Sequence, residues 1–259
     1  MTKFDVFGDP WPAPHFLWSD PPWIMSGNLI TAWFEVETSA VSELLSPTFS
    51  PMKVAKGVPT RLRFYDVCYE PRDGDDQFRA DGSGTFREAV IAFKGSMAGV
   101  EGEYSAFMWT DDDCYMAWGR EVFGWPLLRG DIRLIGPLWD GSQSGRTVCQ
   151  LVHPDFNLII EAEECESVEL VDGPPPLWLT PRRITFPGQY GHVQRDLNIV
   201  KPTVIFAGNS KRHTGRVKLE DRNDSFVSKL QPLGNVRIES LEGFRICVGD
   251  QVETITGHG

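Results

Sequence analysis

The feature that most constrains this chain is a long succession of short β-type runs, closed by Gly, Pro or Asp-rich turns, with one well-bounded helix among them. Residues 60–70, 86–94 and 103–110 read as strands. Beyond residue 130 the pattern is almost entirely strand and turn: 131–139, 146–152, 157–170, 176–186, 193–207, 214–220 and 236–248. Leu29 to Val36 is a further β-rich run, and a short helix is predicted around Ser39–Leu45, stopped by Pro47. Gly141 to Gly145 reads as a hairpin loop. There is no internal repeat and no low-complexity tract. A chain of 259 residues with this pattern is expected to form one large, mostly antiparallel β domain with few short helices.

The well-bounded helix follows Asp111, Asp112 and Asp113, which offer an N-cap acceptor and negative charge where free N–H groups need both. Tyr115, Trp118 and Val122 share one face, and Gly124 and Pro126 end the run. Gly119 in its middle costs about 1 kcal/mol relative to Ala, which a close approach of other atoms would explain.

Residues 1–28 read as a Pro- and Trp-rich arm preceding a single domain at 29–259. Five prolines forbid a regular helix there, and Trp11, Trp18 and Trp23 suit extended packing on the body or on a neighbouring subunit. No run of about 18–20 apolar residues predicts a membrane span. The N-terminus shows no secretory signal, and the five widely spaced cysteines suit reduced, mostly buried thiols, so a cytoplasmic location is expected.

A net charge of −11 argues against nucleic acid as partner. No phosphate-cradling glycine loop, nucleophile elbow or His-Glu-x-x-His motif occurs, so no nucleotide or metal cofactor is implied. His153-Pro154-Asp155 reads as a turn rather than a pair of metal ligands. Charge is segregated in the C-terminal half. Residues 155–172 carry seven acidic and no basic side chains, whereas 182–222 carry nine basic and three acidic. Complementary strands or subunit faces account for this more simply than an anionic-ligand site in the basic segment.

The segment Gly119-Arg120-Glu121-Val122-Phe123-Gly124-Trp125-Pro126 resembles the Gly-Arg-Glu…Pro signature of the acetoacetate decarboxylase-like family. Phe86-Arg87-Glu88, with Tyr104 sixteen residues on, resembles that family's Tyr-x-Glu strand and the strand after it. Thr214 to Leu219 and Gln231-Pro232-Leu233 resemble its closing elements, so the similarity runs over roughly residues 28–250. The resemblance implies a single-domain, cone-like antiparallel β-barrel that assembles into homo-oligomers and acts on a small molecule. It also implies a Lys nucleophile directly after the signature Pro, forming a Schiff base with a β-keto acid. Here those two positions hold Leu127 and Leu128, and an alkyl side chain forms no imine. The family's first acidic site residue falls at Tyr65, and its carboxylate-binding Arg falls near Gly27 or Asn28. Of the matched site positions, Glu88 alone keeps its chemistry.

These departures lead to an expectation of cofactor-free acid–base chemistry. With no lysines beside it and apolar neighbours around it, Glu88 is expected to hold its proton toward neutral pH and to serve as the proton shuttle. Tyr65 would donate to a developing oxyanion, and Arg63, on the same strand face by period-two alternation, would hold a carboxylate or phenolate. Leu127, Leu128, Trp125, Met108 and Arg120 complete the expected substrate-contacting set. The expected reaction is a lyase-type step (elimination, dehydration, cyclisation or imine-free decarboxylation) on a small carbonyl or phenolic, polyketide-like metabolite of secondary metabolism. Alternatives stay open. Glu88 pairs with Arg87, Arg63 or Arg120, Arg120 only ties the helix to the barrel, or the chain is a non-catalytic binding barrel. Lys94, placed before Gly95 at an expected turn, is read as solvent-exposed.

Overall fold

A computed structural model describes residues 22–45, 48–54, 56–71, 84–141, 145–167, 177–185 and 193–257. Its first half is a meander: β1 (Trp23–Val36), α1 (Thr38–Leu44), β2 (Phe49–Pro51), β3 (Val58–Pro71), β4 (Gly84–Met97) and β5 (Val100–Thr110). α2 (Asp113–Trp118) follows and passes into a π turn at Gly119–Phe123. Then come β6 (Leu127–Arg129), β7 (Asp131–Ile135), α3 (Pro137–Asp140), β8 (Arg146–Val152) and β9 (Phe156–Ser167). The chain closes with β10 (Trp178–Thr185), β11 (Val193–Val200), β12 (Thr203–Phe206), β13 (Asn209–Asp221), a 3-10 turn at Phe226–Leu230, β14 (Arg237–Val248) and β15 (Val252–Gly257).

All strands belong to one sheet ordered β15-β11-β10-β5-β4-β3-β1-β14-β13-β9-β8-β7, with β2, β6 and β12 paired at its sides. The mainly β class with few short helices is the one the sequence implies. The sheet is mixed rather than purely antiparallel, because β5 pairs in parallel with both β10 and β6. Among the described residues the strand path is open, with β15 and β7 at its ends. No helix among the described residues is long and apolar enough to cross a membrane.

Both faces of the central strands are buried, and they bury different things. Ile30, Ala32 and Phe34 of β1, Leu62 and Phe64 of β3, and Ala89, Ile91 and Phe93 of β4 form one apolar core. By period-two alternation the intervening residues point the other way, toward a second, smaller cluster that includes Val67, Phe86, Val90 and Ala92. β5 joins this arrangement with a bulge. Ile91 pairs with Phe107 and Ala92 with Ser105, so Ala106 is the extra residue and the alternation changes phase there.

Several boundaries differ from the sequence reading. Trp23 to Asn28 lie within β1 rather than in an arm, because Trp23 to Gly27 pair with both β3 and β14 and Asn28 pairs with β3; residues 1–21 lie outside the described set. The expected strand 131–139 stops at Ile135, where Gly136 at φ 111° breaks it and Pro137 opens α3. The expected strand 193–207 is two strands, parted at Lys201-Pro202. The predicted hairpin loop is described only at its ends, Gly141 and Gly145. His153 to Asp155 form the turn between β8 and β9, closed by the His153 amide donating to the Phe156 carbonyl. Acidic β9 lies against basic β13, and Glu161 holds Arg216 and Lys218 at 2.6 Å each. The segregated charge is thus a strand-to-strand match. Of the described cysteines, Cys149 and Cys247 are buried but Cys68 and Cys114 are exposed, so burial is less general than expected.

Candidate active site

A cavity of about 370 Å³ opens on the side of the sheet opposite the main core. Its floor comes from the side chains of β1, β3, β4, β5 and β14 that point away from that core. Met25, Phe86, Trp125, Trp178 and Phe244 give it apolar walls.

Glu88 on β4 sits directly across from Tyr65 on β3. It lines the cavity and is only 6% exposed. Burial raises its pKa to about 8, against the opposing pull of a hydrogen bond from Tyr115 and the charge of Arg63. The Tyr115 hydroxyl donates to Glu88 Oε1 at 3.3 Å. Tyr115 reaches that point because Asp112 caps α2, accepting from the Tyr115 amide at 2.5 Å, and because its ring stacks on Phe86 with centroids 3.7 Å apart. Burial likewise raises the Tyr115 and Tyr65 hydroxyls above their ordinary value, although Arg63 pulls Tyr65 down. Both are therefore neutral donors at physiological pH. Among the described residues Glu88 joins no ion pair with Arg87, Arg63 or Arg120.

Arg63 lines the cavity one strand step from Tyr65 and hydrogen-bonds to it. It is held from behind by Glu103, a fully buried carboxylate on β5 that lies 2.5 Å from Arg63 and 2.9 Å from Arg61. Desolvation works against the charge on Arg63, but the attraction of Glu103 and Tyr65 outweighs it and raises its pKa. The two arginines reach Glu103 on β5 across β4, where Ala92 is paired with Arg61 on one side and Ser105 on the other. Arg61 also lies flat on the Trp33 ring, 3.5 Å from its centroid.

The sequence-derived set thus divides. Glu88, Tyr65, Arg63, Trp125 and Met108 all line the one cavity. Leu127 does not. It is fully buried in the smaller cluster, in contact range of Gly119, where an added Cβ would collide with Leu127 and Trp125. That is the close approach the mid-helix glycine implied. Leu128 is 52% exposed on the next residue of β6, so alternation turns it outward. Arg120 is exposed on the π turn and away from the cavity. Gly27 and Asn28 are not in the lining either, and Asn28 instead spans the Leu138 carbonyl and the Gly243 amide. Lys94, expected in solvent, is half-buried in the cavity wall with its Nζ 5.7 Å from the Trp33 ring.

The sequence reading missed Tyr115, Glu103, Arg61 and Trp33. Arg61 was accessible in principle, being two residues from Arg63 on the same strand face. Glu103 was not, because the bulge at Ala106 reverses the facing that strict alternation assigns it. No group of three or more His, Cys, Asp or Glu able to hold a metal ion occurs among the described residues.

No curated protein matches the sequence. Solved structures with the same fold include the enduracididine biosynthesis enzyme MppR, complexed with the condensation product of pyruvate and imidazole 4-carboxaldehyde. It has 18% identity and a TM-score of 0.72, with 92% of this chain and 90% of that one covered. The acetoacetate decarboxylase of Legionella pneumophila gives 13% identity and a TM-score of 0.71 over 97% and 93% of the two chains. An acetoacetate decarboxylase-like enzyme of Sphingomonas wittichii gives 17% and 0.67 over 89% and 92%. The family model for acetoacetate decarboxylase matches residues 10–162, more than half of the sequence and the stretch that carries Tyr65, Glu88 and Tyr115. This chain belongs to the acetoacetate decarboxylase family.

Proposed function

We propose that the cavity is the active site of a cofactor-free, lyase-type enzyme in which Glu88 moves the proton. The observation that carries this reading is a carboxyl group with a pKa near 8, 6% exposed, hydrogen-bonded by Tyr115 and facing Tyr65 across the cavity floor. A carboxyl of that pKa is protonated at neutral pH and begins as a general acid. In a dehydration it gives its proton to the departing hydroxyl as the C–O bond breaks and water leaves. The carboxylate so formed, held by the Tyr115 hydroxyl and the Arg63 charge, then takes the proton from the adjacent carbon as the C=C bond forms. Atoms balance, and Glu88 returns to its starting state. Tyr65 and Arg63 stabilise negative charge on the substrate oxygen during the transfer.

The imine route has no part in this scheme. Leu127 and Leu128 carry no amine, and Lys94 lies six residues along β4 from Glu88, about 20 Å by strand rise. The MppR complex with a pyruvate-derived condensation product supports a small carbonyl ligand in a cavity of this fold. A cytoplasmic homo-oligomer serving secondary metabolism is the setting proposed for the reaction.

The test is Glu88→Gln, assayed by product analysis against a panel of hydroxylated and β-keto carbonyl compounds and phenols. Turnover is expected to fall 10²- to 10⁴-fold with circular dichroism unchanged. Full turnover in the variant, or a borohydride-reducible adduct on any lysine, overturns the mechanism. The apolar walls favour one second reading, a binder that captures such compounds without converting them. In that case ligands quench tryptophan fluorescence and are recovered intact.

A further inference from the structure

β12 carries an apolar surface that neither the core nor proton transfer at Glu88 uses. Val204, Ile205 and Phe206 are 43%, 50% and 52% exposed, and no other three successive large apolar residues are exposed among the described residues. Single exposed apolar side chains are ordinary, but a continuous run marks a surface that something covers. Val204 and Phe206, with Ala207 after them, line the cavity, whereas Ile205 does not. The register accounts for the difference. Val204 pairs with Ile246 and Phe206 with Arg245, so Ile205 is the extra residue of a bulge. The half-exposed run is therefore a rim of the cavity, with one residue turned out of the lining.

An apolar path joins this rim to the Glu88–Tyr65 pair. The Tyr65 ring meets Phe244 edge to face, with centroids 6.3 Å apart. Ile246 follows Phe244 by one strand step, and Val204 is paired with Ile246 across the next strand gap, so the rim lies about 8 Å beyond Phe244. Leu29, paired with Tyr65 on one side and Leu241 on the other, continues the same floor. The side chains of Phe244, Ile246, Val204, Phe206, Leu29 and Leu241 hold no polar atom, so the part of a ligand lying on them must be apolar. The aromatic wall opposite is different. Phe86 and Trp125 are each 3% exposed and already packed on Tyr115, which leaves them little surface to bury. Val204 and Phe206 keep about half of theirs, and a ligand gains most where apolar area still faces water.

We infer that the β14–β12 side of the cavity is a tail subsite for an extended apolar chain. The substrate is then a carbonyl compound bearing an acyl-type chain, with its reacting carbons beside Glu88 and its chain running over Phe244 and Ile246 to the Val204–Phe206 rim. This selects chain-bearing carbonyl compounds over compact phenols within the proposed function, and it rests on the reading of the cavity as the active site.

The test uses the native full-length chain and the 2-alkanones from 2-butanone to 2-nonanone, followed by calorimetry. Each CH₂ that becomes fully buried adds about fourfold to affinity, so 2-nonanone is expected to bind at least about 100-fold tighter than 2-butanone. Phe206→Ser and Val204→Ser should each cut that gain at least about fivefold and leave 2-butanone binding as in the native protein. Ile205→Ser, as exposed as its neighbours but outside the lining, should keep the whole gain. A series that is flat beyond 2-pentanone in the native protein overturns the inference, as does an undiminished gain in folded Phe206→Ser. Equal losses in Ile205→Ser and Phe206→Ser, or dissociation of a native assembly by all three substitutions in sedimentation runs, also overturn it, because the run is then a contact between copies. The native series needs no variant, so a misfolded variant leaves the test standing. Turnover is not read, so a failure of the Glu88 chemistry is distinguishable from a failure of the tail subsite.

Discussion

The two faces of β3 and β4 share every backbone hydrogen bond and almost nothing else. On one face Leu62, Phe64, Ile91 and Phe93 are fully buried in a continuous hydrocarbon core. On the other, the same strands carry Arg61, Arg63, Tyr65 and Glu88 into a cavity. Stability and chemistry are therefore separated by side-chain alternation within single strands, not by region of the chain. The contrast is testable, because a perturbation of either face should register differently.

The largest effect is expected where the polar face is most buried. Glu103→Gln leaves Arg61 and Arg63 without their carboxylate and should lower stability by about 3–5 kcal/mol, read from urea midpoints. A loss below about 1 kcal/mol would mean that the cluster is hydrated and the polar face is softer than its packing suggests. Leu62→Ala on the core face should cost about 2–5 kcal/mol through lost burial and a residual cavity, with ligand binding retained in the folded fraction.

Glu88 sharpens the comparison through pH. Its pKa is raised from 4.5 to about 8 on folding, so the native state prefers the protonated form. The stability this contributes is complete below about pH 4.5 and is lost as pH rises through 8, with a slope of at most about 1.4 kcal/mol per pH unit. Glu88→Gln should flatten that slope in urea titrations across the window. An unchanged slope would place the titration elsewhere.

The smallest effect belongs to the outer strands. Hydrogen bonds from Lys218 and Arg216 lower the Glu161 pKa to about 2, so its contribution is present above about pH 4.5 and is lost as pH falls through 2. Both cations are about a third or more exposed, so Glu161→Gln should cost no more than about 1 kcal/mol at neutral pH, less in high salt.

The central strands were legible because their runs are rich in β-branched, aromatic and other apolar residues and are bounded by Gly, Pro or Asp turns, and the α2 start because three successive Asp precede it. Glu88 and Tyr65 could be placed by resemblance, and Arg63 by strand parity from Tyr65. Other parts failed for local reasons. Trp139 and Leu138 look like strand residues, and only the Gly136-Pro137 pair signals the switch to α3. Leu127 and Leu128 align with reactive positions of the family, yet the side chain of one fills the cluster beside Gly119 and the other turns outward. Tyr115 depends on the angle at which α2 leaves β5, which no sequence pattern encodes. Glu103 depends on the single extra residue at Ala106.

Ala92 is the small residue of β4 that stands between Arg61 of β3 and Ser105 of β5. Adjacent strands lie about 4.8 Å apart, so the backbones of β3 and β5 stand roughly twice that span from each other, and Arg61 and Arg63 must reach across β4 near Ala92 to meet Glu103. A Val or Leu there would stand as a hydrocarbon fence, parting donor from acceptor and stranding three ions in a dry wall. This small side chain thus works as a gap rather than as filler. A lone enlargement at this position would convert the electrostatics of the whole chamber without touching a charged residue.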